Sequence, residues 1–351
     1  MFWLIENEKQ FEALSNFRYK EALVEIIPLN NKVHPTQNGV CAVYIRPLLA
    51  TKGYMLPISH SETLTLSIDD IERMLSQFDK VYTRDKKEFL HYFPLKTLYD
   101  ITIQSHTYIP TYTQAHSYFY TNHEGKSDIN TIIPIVKHYE YCETLWKELG
   151  SMTAIKPNQF FNNEASIVFN MIERNGIKVN KELFENHFHP IKGDMVFTQF
   201  NFKTITRRPS NKFNGVNYAA LSKQSGVREA FIPRNDFFIE VDMSAYHPTL
   251  LAKLVNYDFE EEDIHKAFAK MYNVEYKKSK EITFQQLYGG VFDEYKDLPF
   301  FKLVQEYTDK LWDQFVNDKY ITCPISEWEI FMADTNDMTP PKLLNYVLQN
   351  L

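Results

Sequence analysis

The sequence has little glycine and almost no cysteine. Only 10 of its 351 residues are glycine, which is about half the usual share. Neither a Gly-rich dinucleotide fingerprint nor a phosphate-binding P-loop occurs, so folds built on those loops are excluded. The three cysteines, Cys41, Cys142 and Cys323, are far apart and odd in number. They match neither a zinc-finger pattern nor a disulfide framework, and they indicate a reducing, cytoplasmic environment.

Long apolar runs and an excess of positive charge are missing as well. No apolar stretch approaches the roughly 20 residues that span a bilayer, so no membrane partner is expected. The first residues, MFWLIENEKQ, carry acids where a secretion signal has basic residues. The net charge of −7 gives no general case for nucleic-acid binding, which must therefore rest on local features.

Aromatic and apolar side chains are plentiful, and the first half has the pattern of strands followed by helices. Hydrophobic residues make up 44% of the chain and aromatic residues 15%, which is enough to form a core. The predicted strands cover 22–29, 40–48 and 52–58. Helices are predicted over 67–78, with Ser67 as the cap, and over 129–149, broken at Pro134. This order indicates a mixed α/β fold of the α+β type.

A basic segment over 201–234 stands out against the acidic chain. Its cations are opposed by a single acid, Glu229. The cations are Lys203, Arg207, Arg208, Lys212, Lys223, Arg228 and Arg234. Charge alone leaves two interpretations open, a solvated loop and a phosphate-binding surface for DNA.

Two later segments carry residues suited to nucleotide chemistry. The run FFIEV predicts a strand over 237–241 that ends at Asp242, whose carboxylate can bind a metal ion or cap the next helix. In YKKSKEITFQQLYGG, Lys280, Phe284 and Tyr288 share one helical face, and two glycines end the helix. That face could hold a triphosphate, a base and a sugar. It could also be an aromatic core face, which the spacing alone favours.

These segments resemble the motifs of family A DNA polymerases. EVDMSAYHPTLLAKL is similar to motif A, and KSKEITFQQLYGG is similar to motif B, which runs Lys, three residues, Phe, three residues, Tyr-Gly. Four further matches in the family's order are TITRRPSN, GVREAFIP, Asp263-Ile264-His265 and NYVLQ. RPSN and YHPTLLAKL are most similar to phage-type polymerases. Six pieces in order across 204–349 make the resemblance specific.

The resemblance implies a role for each matching residue. Asp242 and the backbone carbonyl of Met243 would bind two Mg²⁺ ions, the cofactor of this chemistry. The residues implied for the incoming dNTP are His247, His265, Lys280, Phe284 and Tyr288, with His247 in place of the family's ribose-excluding Glu. The residues implied for primer-template DNA are Arg208, Arg228, Asn345 and Gln349.

The sequence departs from the family's pattern at motif C. This motif carries the second catalytic Asp in a His-Asp-Glu turn and should follow NYVLQ, but only two residues remain. We therefore expect an incomplete, truncated or split polymerase that is inactive alone and needs a C-terminal polymerase segment as partner. The face formed by Leu343, Leu344, Val347, Leu348 and Leu351 is expected to pack against strands of that segment. Tyr276 stands where motif B normally has Arg.

The N-terminal half is similar to the family's 3′–5′ exonuclease domain, which implies an RNase H-like fold. Its metal-binding acids are poorly matched: the first strand has Glu25 but no Asp-x-Glu, the second region offers Asp85 or Glu88, and 135–142 lacks an Asp. We predict an inactive exonuclease-like domain over 1–150 and a connector with a reduced thumb over 151–203. The first part of the palm and the fingers follow over 204–351.

The predicted function is template-directed DNA synthesis by nucleotidyl transfer from dNTPs to a primer 3′ end. Its expected partners are primer-template DNA and dNTPs, and a processivity factor is a further candidate partner. Two alternatives stay open. A single-subunit RNA polymerase shares the Lys…Tyr-Gly frame, although Phe284 and the exonuclease-like half argue against it. A non-catalytic DNA-binding replication protein could have kept the fold and lost motif C.

Overall fold

The computed structural model describes two compact units. The described residues are 3–16, 19–63, 66–103, 129–149, 159–204, 208–211, 215–325, 329–331 and 337–351. Unit 1 comprises Met1–Lys203 and Pro209–Phe237, and unit 2 comprises Thr204–Arg208 and Phe238–Leu351. The sequence pattern predicts a loop over 107–128, which lies outside the described residues. Within them, no helix is both long enough and apolar enough to cross a membrane.

A six-stranded mixed sheet forms the centre of unit 1. Its strands are β1 (Trp3–Leu4), β2 (Glu21–Pro28), β3 (Val40–Pro47), β4 (Tyr54–Pro57), β5 (Lys80–Thr83) and β6 (Leu98–Asp100). The strands lie in the order β1-β4-β3-β2-β5-β6. Strand β3 runs antiparallel to both neighbours, and the other pairs are parallel. The strands predicted over 22–29, 40–48 and 52–58 correspond to β2, β3 and β4, so that prediction is confirmed.

Helices cover both faces of this sheet, as a sheet with apolar residues on both sides requires. The helices of unit 1 are α1 (Glu8–Ser15), α2 (Ile68–Leu75), α3 (Lys86–Tyr92), α4 (Ile135–Leu149), α5 (Gln159–Asn175) and α6 (Lys181–Glu185). Val24 packs with α2 on one face, and Leu23 packs with α4 on the other. Ser67 caps α2 by accepting from the Asp69 N–H at 3.2 Å. The predicted break at Pro134 is confirmed, because α4 begins at the residue after it.

A buried carboxylate ties α3 to α5. Glu173 accepts from Lys87 Nζ at 2.7 Å, from His91 Nε2 at 2.9 Å and from the Phe200 N–H at 2.6 Å. The short strands nearby are β7 (Ile177–Lys178), β8 (Met195–Val196), β9 (Phe200–Asn201) and β10 (Ser210–Asn211). They pair as two antiparallel ladders, β7 with β8 and β9 with β10. Because both carboxylate oxygens of Glu173 have partners, this charge can stay buried.

Helices and one hairpin make up the described part of unit 2. The helices are α7 (Tyr246–Leu254), α8 (Ile264–Tyr272), α9 (Tyr276–Gly289), α10 (Pro299–Asp318) and α11 (Pro340–Asn350). The hairpin pairs β11 (Tyr320–Thr322) with β12 (Glu329–Phe331). Aromatic rings dominate the core: Phe268 stacks on Tyr272 with centroids 5.5 Å apart and meets Phe300 edge-on at 5.4 Å. Such ring pairs add to the stability that apolar burial provides.

The apolar face of α11 is covered, contrary to expectation. Its four leucine and valine residues, Leu343, Leu344, Val347 and Leu348, are buried in the core of unit 2, and Leu351 packs against the same core. Helices α9 and α10 supply the covering surface. The expectation was wrong because a sequence pattern shows which face of a helix is apolar but not which element of the same chain covers it.

Candidate functional site

One face of α9 carries a row of polar and aromatic side chains. The row consists of Tyr276, Lys280, Phe284 and Tyr288, each four residues from the next. The side chains buried on the opposite face are Ser279, Ile282, Thr283, Gln286 and Leu287. Phe284 is 43% exposed. Tyr288, at the end of the row, is partly buried and packs against the core of unit 2. The interpretation of the row as an aromatic core face is therefore wrong at Phe284 and holds only at Tyr288.

The side chains of this row contact one another. The Lys280 ammonium lies 4.5 Å from the centre of the Tyr276 ring, within the range of a cation–π interaction. The rings of Phe284 and Tyr288 stack with centroids 5.8 Å apart. The sequence analysis missed the contact of Tyr276 with Lys280, although the spacing of four residues was the signal that could have found it. The row thus places a cation beside a flat aromatic surface.

His265 on α8 lies next to this row. Its ring centre is 6.4 Å from that of Phe284 and 6.1 Å from that of Tyr276. Asp263 caps α8 by accepting from the His265 N–H at 2.9 Å, and the Tyr276 hydroxyl donates to the same carboxylate at 3.2 Å. Ser279 Oγ donates to the His265 carbonyl at 2.9 Å. These bonds fix α8 against α9 and hold the His265 ring beside Lys280 and Phe284.

His247 connects α7 to α9 and to Arg208. Arg208 Nη2 lies 2.9 Å from His247 Nε2. A guanidinium can only donate, so Nε2 accepts and the proton of the neutral ring is on Nδ1, which bonds the Tyr288 hydroxyl. Burial, and then the charge of Arg208, lower the pKa of His247. A neutral ring at this position holds Arg208 and Tyr288 without repelling the guanidinium.

Acid should destabilise the fold through His247 and His265. Burial lowers the pKa of both side chains below the ordinary 6.5, with Lys280 adding to the effect at His265. The unfolded chain then binds protons before the folded chain does, so the free energy of unfolding falls as the pH drops through about 6.5. We expect a lower urea midpoint at pH ~5.5 than at pH ~7.5. The difference should shrink in His247→Gln/His265→Gln, and an undiminished difference would contradict this assignment.

The segment 238–243, which carries Asp242, is exposed and unpaired within the described residues. Its apolar side chains are 59% (Phe238), 79% (Ile239), 89% (Val241) and 69% (Met243) exposed. The strand predicted over 237–241 is therefore wrong for the described structure. A strand needs a neighbour for its N–H and C=O groups, and no described strand pairs with this segment. Ala245, at φ 47°, turns the chain from this segment into α7.

The remaining residues implied for DNA have other surroundings. Asn345 and Gln349 lie one turn apart on α11, where Gln349 Nε2 donates to Asn345 Oδ1 at 2.7 Å. Arg228 belongs to unit 1 and donates from Nε and Nη2 to the Leu221 carbonyl at 3.0 and 2.8 Å. Arg207, within TITRRPSN, lies outside the described residues. The structure therefore brings together Arg208, His247 and Tyr288 in unit 2, while the DNA role of Arg228 stays a prediction.

The acids of unit 1 that could bind metal ions are engaged by other groups. Buried Glu25 pairs with Arg84, and burial raises the pKa of Glu25 to about 7 against the lowering effect of that arginine. Asp85 caps α3 by accepting from the Glu88 N–H at 3.0 Å. The sequence analysis missed Asp100, a buried acid that accepts from Lys203 Nζ at 2.7 Å. Glu25 and Asp100 are buried carboxylates, and each of them contacts its own cation.

Comparison with known proteins adds a likeness of fold. No protein-family model matches the chain, and no curated protein matches it. Among solved structures, the chain is similar to the POL domain of Pol1 from M. smegmatis, determined in complex with DNA primer-template and dNTP. The TM-score is 0.62 at 12% sequence identity, over 99% of this chain and 85% of that chain. The fold of this chain therefore resembles that of a DNA polymerase POL domain.

Proposed function

We propose that the chain is a family A DNA polymerase that joins dNTPs to a primer 3′ end under the direction of a template. The observation that carries the proposal is the row of Lys280, Phe284 and Tyr288 on one face of α9, with His265 beside it. The likeness of fold to a polymerase POL domain supports the same conclusion.

The side chains of the row and its neighbours each contact a different part of the incoming nucleotide. Lys280 binds the triphosphate as a point charge, and His265 adds a hydrogen bond from its neutral ring. The exposed ring of Phe284 stacks against the base, which tolerates every base because each has a flat π-face. Tyr288 and His247 lie against the sugar. Each of these groups binds or orients the nucleotide before chemistry takes place.

Primer-template DNA binds through polar side chains outside the row. Arg208, Asn345 and Gln349 of unit 2 offer donors to the minor groove, and Arg228 of unit 1 is proposed separately as a contact to DNA. Acceptors there occur in every base pair, so these contacts report the geometry of the pair and not its sequence. This mode of contact suits a protein that must copy any template.

Two Mg²⁺ ions are the expected cofactor, and Asp242 with the Met243 carbonyl is their expected site. Mg²⁺ bound there would supply activation of the primer hydroxyl and neutralisation of phosphate charge. Among the described residues, no group of three metal-ligating side chains gathers around Asp242. A single carboxylate provides too few ligands to bind two Mg²⁺ ions. We therefore propose that the second carboxylate comes from a strand, absent from the described structure, that pairs with the exposed segment 238–243.

Sugar selection should depend on His247. In the proposed complex the ring, held between Arg208 and Tyr288, fills the space beside C2′ of the sugar and excludes a hydroxyl there. We expect His247→Ala to reduce the preference for dNTP over rNTP by about 10-fold, since one small group decides the fit. The measurement is the ratio of the two dissociation constants in complexes with primer-template DNA.

The control for this prediction is His189→Ala, which changes an exposed histidine of unit 1. It should leave the ratio unchanged. An unchanged ratio in His247→Ala as well would place the selection elsewhere. A wild-type preference for rNTP would instead favour a single-subunit RNA polymerase.

Proofreading should be absent. We propose that the sheet of unit 1 is an RNase H-like exonuclease fold without activity, and the order β4-β3-β2-β5-β6 with antiparallel β3 supports this. The Arg84 and Lys203 contacts to Glu25 and Asp100 leave those carboxylates unsuited to metal ions. With Mg²⁺ or Mn²⁺, we expect no release of nucleotides from a mismatched primer end. Steady trimming that Asp85→Ala or Glu88→Ala abolishes would show that the exonuclease is active.

A further inference from the structure

Three side chains from distant parts of the sequence meet inside unit 1. Cys41 lies on β3, His60 follows β4, and His138 lies on α4. One ligand-capable atom of each residue lies within 4.8 Å of those of the other two. All three residues are buried. The cluster combines a thiol with two imidazoles on the face of the sheet that α4 covers.

The two histidines are oriented as metal ligands usually are. His60 Nε2 lies 2.7 Å from the Ile133 carbonyl, and His138 Nε2 lies 3.0 Å from the Asn130 carbonyl. Because a carbonyl only accepts, both Nε2 atoms carry the proton and both Nδ1 atoms keep a lone pair. Metal-ligating histidines commonly donate their second N–H to a backbone carbonyl in this way.

One of these lone pairs has no partner. His138 is fully buried, and its Nδ1 has no hydrogen-bond partner among the described residues. The Nδ1 of His60 accepts from the Glu62 N–H at 3.2 Å, a bond that a metal ion would replace. A buried polar atom without a partner requires an explanation, and an absent ion is one of the recognised explanations.

Backbone hydrogen bonds hold the cluster in place without help from the side chains. The Cys41 carbonyl accepts from the Ile58 and Ser59 N–H groups, both at 2.9 Å, which fixes the start of the loop that carries His60. The Ser61 N–H donates to the Thr131 carbonyl at 3.2 Å, which joins that loop to the turn before α4. The three ligand positions are therefore set by the fold before any ion binds.

We propose that Cys41, His60 and His138 bind one Zn²⁺ ion. A thiolate with two imidazoles is a donor set that zinc prefers, and a water molecule completes a tetrahedral site. Zinc–ligand bonds of about 2.3 Å to sulfur and 2.0–2.1 Å to nitrogen bring the donor atoms within roughly 3.3–3.6 Å of one another. On binding, the Cys41 S–H proton passes to solvent and the zinc–sulfur bond forms.

A zinc ion bound here joins α4 to β3 and to the loop after β4. Binding only to the folded state, it stabilises unit 1 in proportion to its affinity and concentration. The site does not depend on the proposed polymerase function, because none of its residues takes part in nucleotide binding. The sequence shows no zinc-binding pattern because the three ligands are not closely spaced along the chain.

The test is a titration of metal-stripped protein with Zn²⁺, and with Co²⁺ as a spectroscopic probe. We expect one ion per chain, cobalt absorption bands of a tetrahedral site with a sulfur ligand, and a higher melting temperature with zinc. Cys41→Ala and His138→Ala should each weaken binding by about 100-fold or more. Cys142→Ala is the matched control, because Cys142 is also buried, lies on α4 and belongs to the same core cluster as Cys41.

The wild-type titration needs no variant, so the proposal stays testable if Cys41→Ala fails to fold. The absence of binding by wild-type protein would overturn it, as would binding of copper alone. Cobalt bands without a sulfur ligand would also overturn it. So would an equal loss of binding in Cys142→Ala and Cys41→Ala.

Discussion

Residues 1–351 will add no nucleotide to a primer, even with Mg²⁺ and all four dNTPs present. Two-metal catalysis needs carboxylates from more than one strand, and Asp242 stands on the unpaired segment 238–243. We expect synthesis to appear when a polypeptide with a His-Asp-Glu turn is supplied, either as a continuation of this chain or as a second chain. The unpaired backbone of 238–243 is the edge along which such a strand would pair.

The Asp242→Ala variant tests whether restored synthesis uses this site. In the restored enzyme, we expect it to reduce incorporation by at least about 100-fold, the scale on which loss of one charge-stabilising group acts. Asp258→Ala is a control for loss of a carboxylate elsewhere in unit 2. Robust extension by highly purified 1–351 alone would contradict the account and would mean that another acid of this chain is the second ligand.

Lys280→Ala will weaken dNTP binding without unfolding the protein. The ammonium lies beside Tyr276 on the outer face of α9, where it contributes charge and little packing. A hydrogen bond to a charged phosphate contributes about 1.5–3 kcal/mol, so we expect roughly 10- to 100-fold weaker binding. The measurement is equilibrium titration of 1–351, bound to primer-template DNA, with a fluorescent dNTP. It requires no catalysis.

Lys278 offers a matched control on the same helix. Its ammonium pairs with Glu281 at 3.1 Å, and it lies off the row. Lys278→Ala removes the same charge but should change the dissociation constant by less than about threefold, since exposed ion pairs contribute little. Lys280→Arg should keep much of the affinity. Equal effects of Lys278→Ala and Lys280→Ala would show that general charge, and not position, governs binding.

Local patterns in the sequence predicted the elements whose partners are nearby in the chain. Strands β2, β3 and β4 and helix α2 formed where short apolar runs, turn residues and the Ser67 cap predicted them. The strand predicted over 237–241 did not form, because a strand also depends on a neighbouring strand that the sequence pattern does not reveal. The prediction for the apolar face of α11 failed for a related reason, because helices α9 and α10 of the same chain cover this face.

For the candidate site too, local features were predicted correctly and long-range contacts were not. Spacing of four residues correctly placed Lys280, Phe284 and Tyr288 on one helical face, but it could not show that Phe284 is exposed while Tyr288 packs against the core. The Arg208 and Tyr288 bonds to His247 join residues far apart in the sequence, so only the fold reveals them. The cluster around Cys41 was unpredictable for that reason as well.

The most direct test of template-directed function is the dependence of dNTP binding on the templating base. The experiment measures the affinity of 1–351, bound to a primer-template with a terminated primer, for each of the four dNTPs in turn. We predict that the dNTP complementary to the templating base binds on the order of 10-fold more tightly than the others, and that the preference follows the base when it is changed. Equal affinity for all four dNTPs, whatever the templating base, would contradict the account.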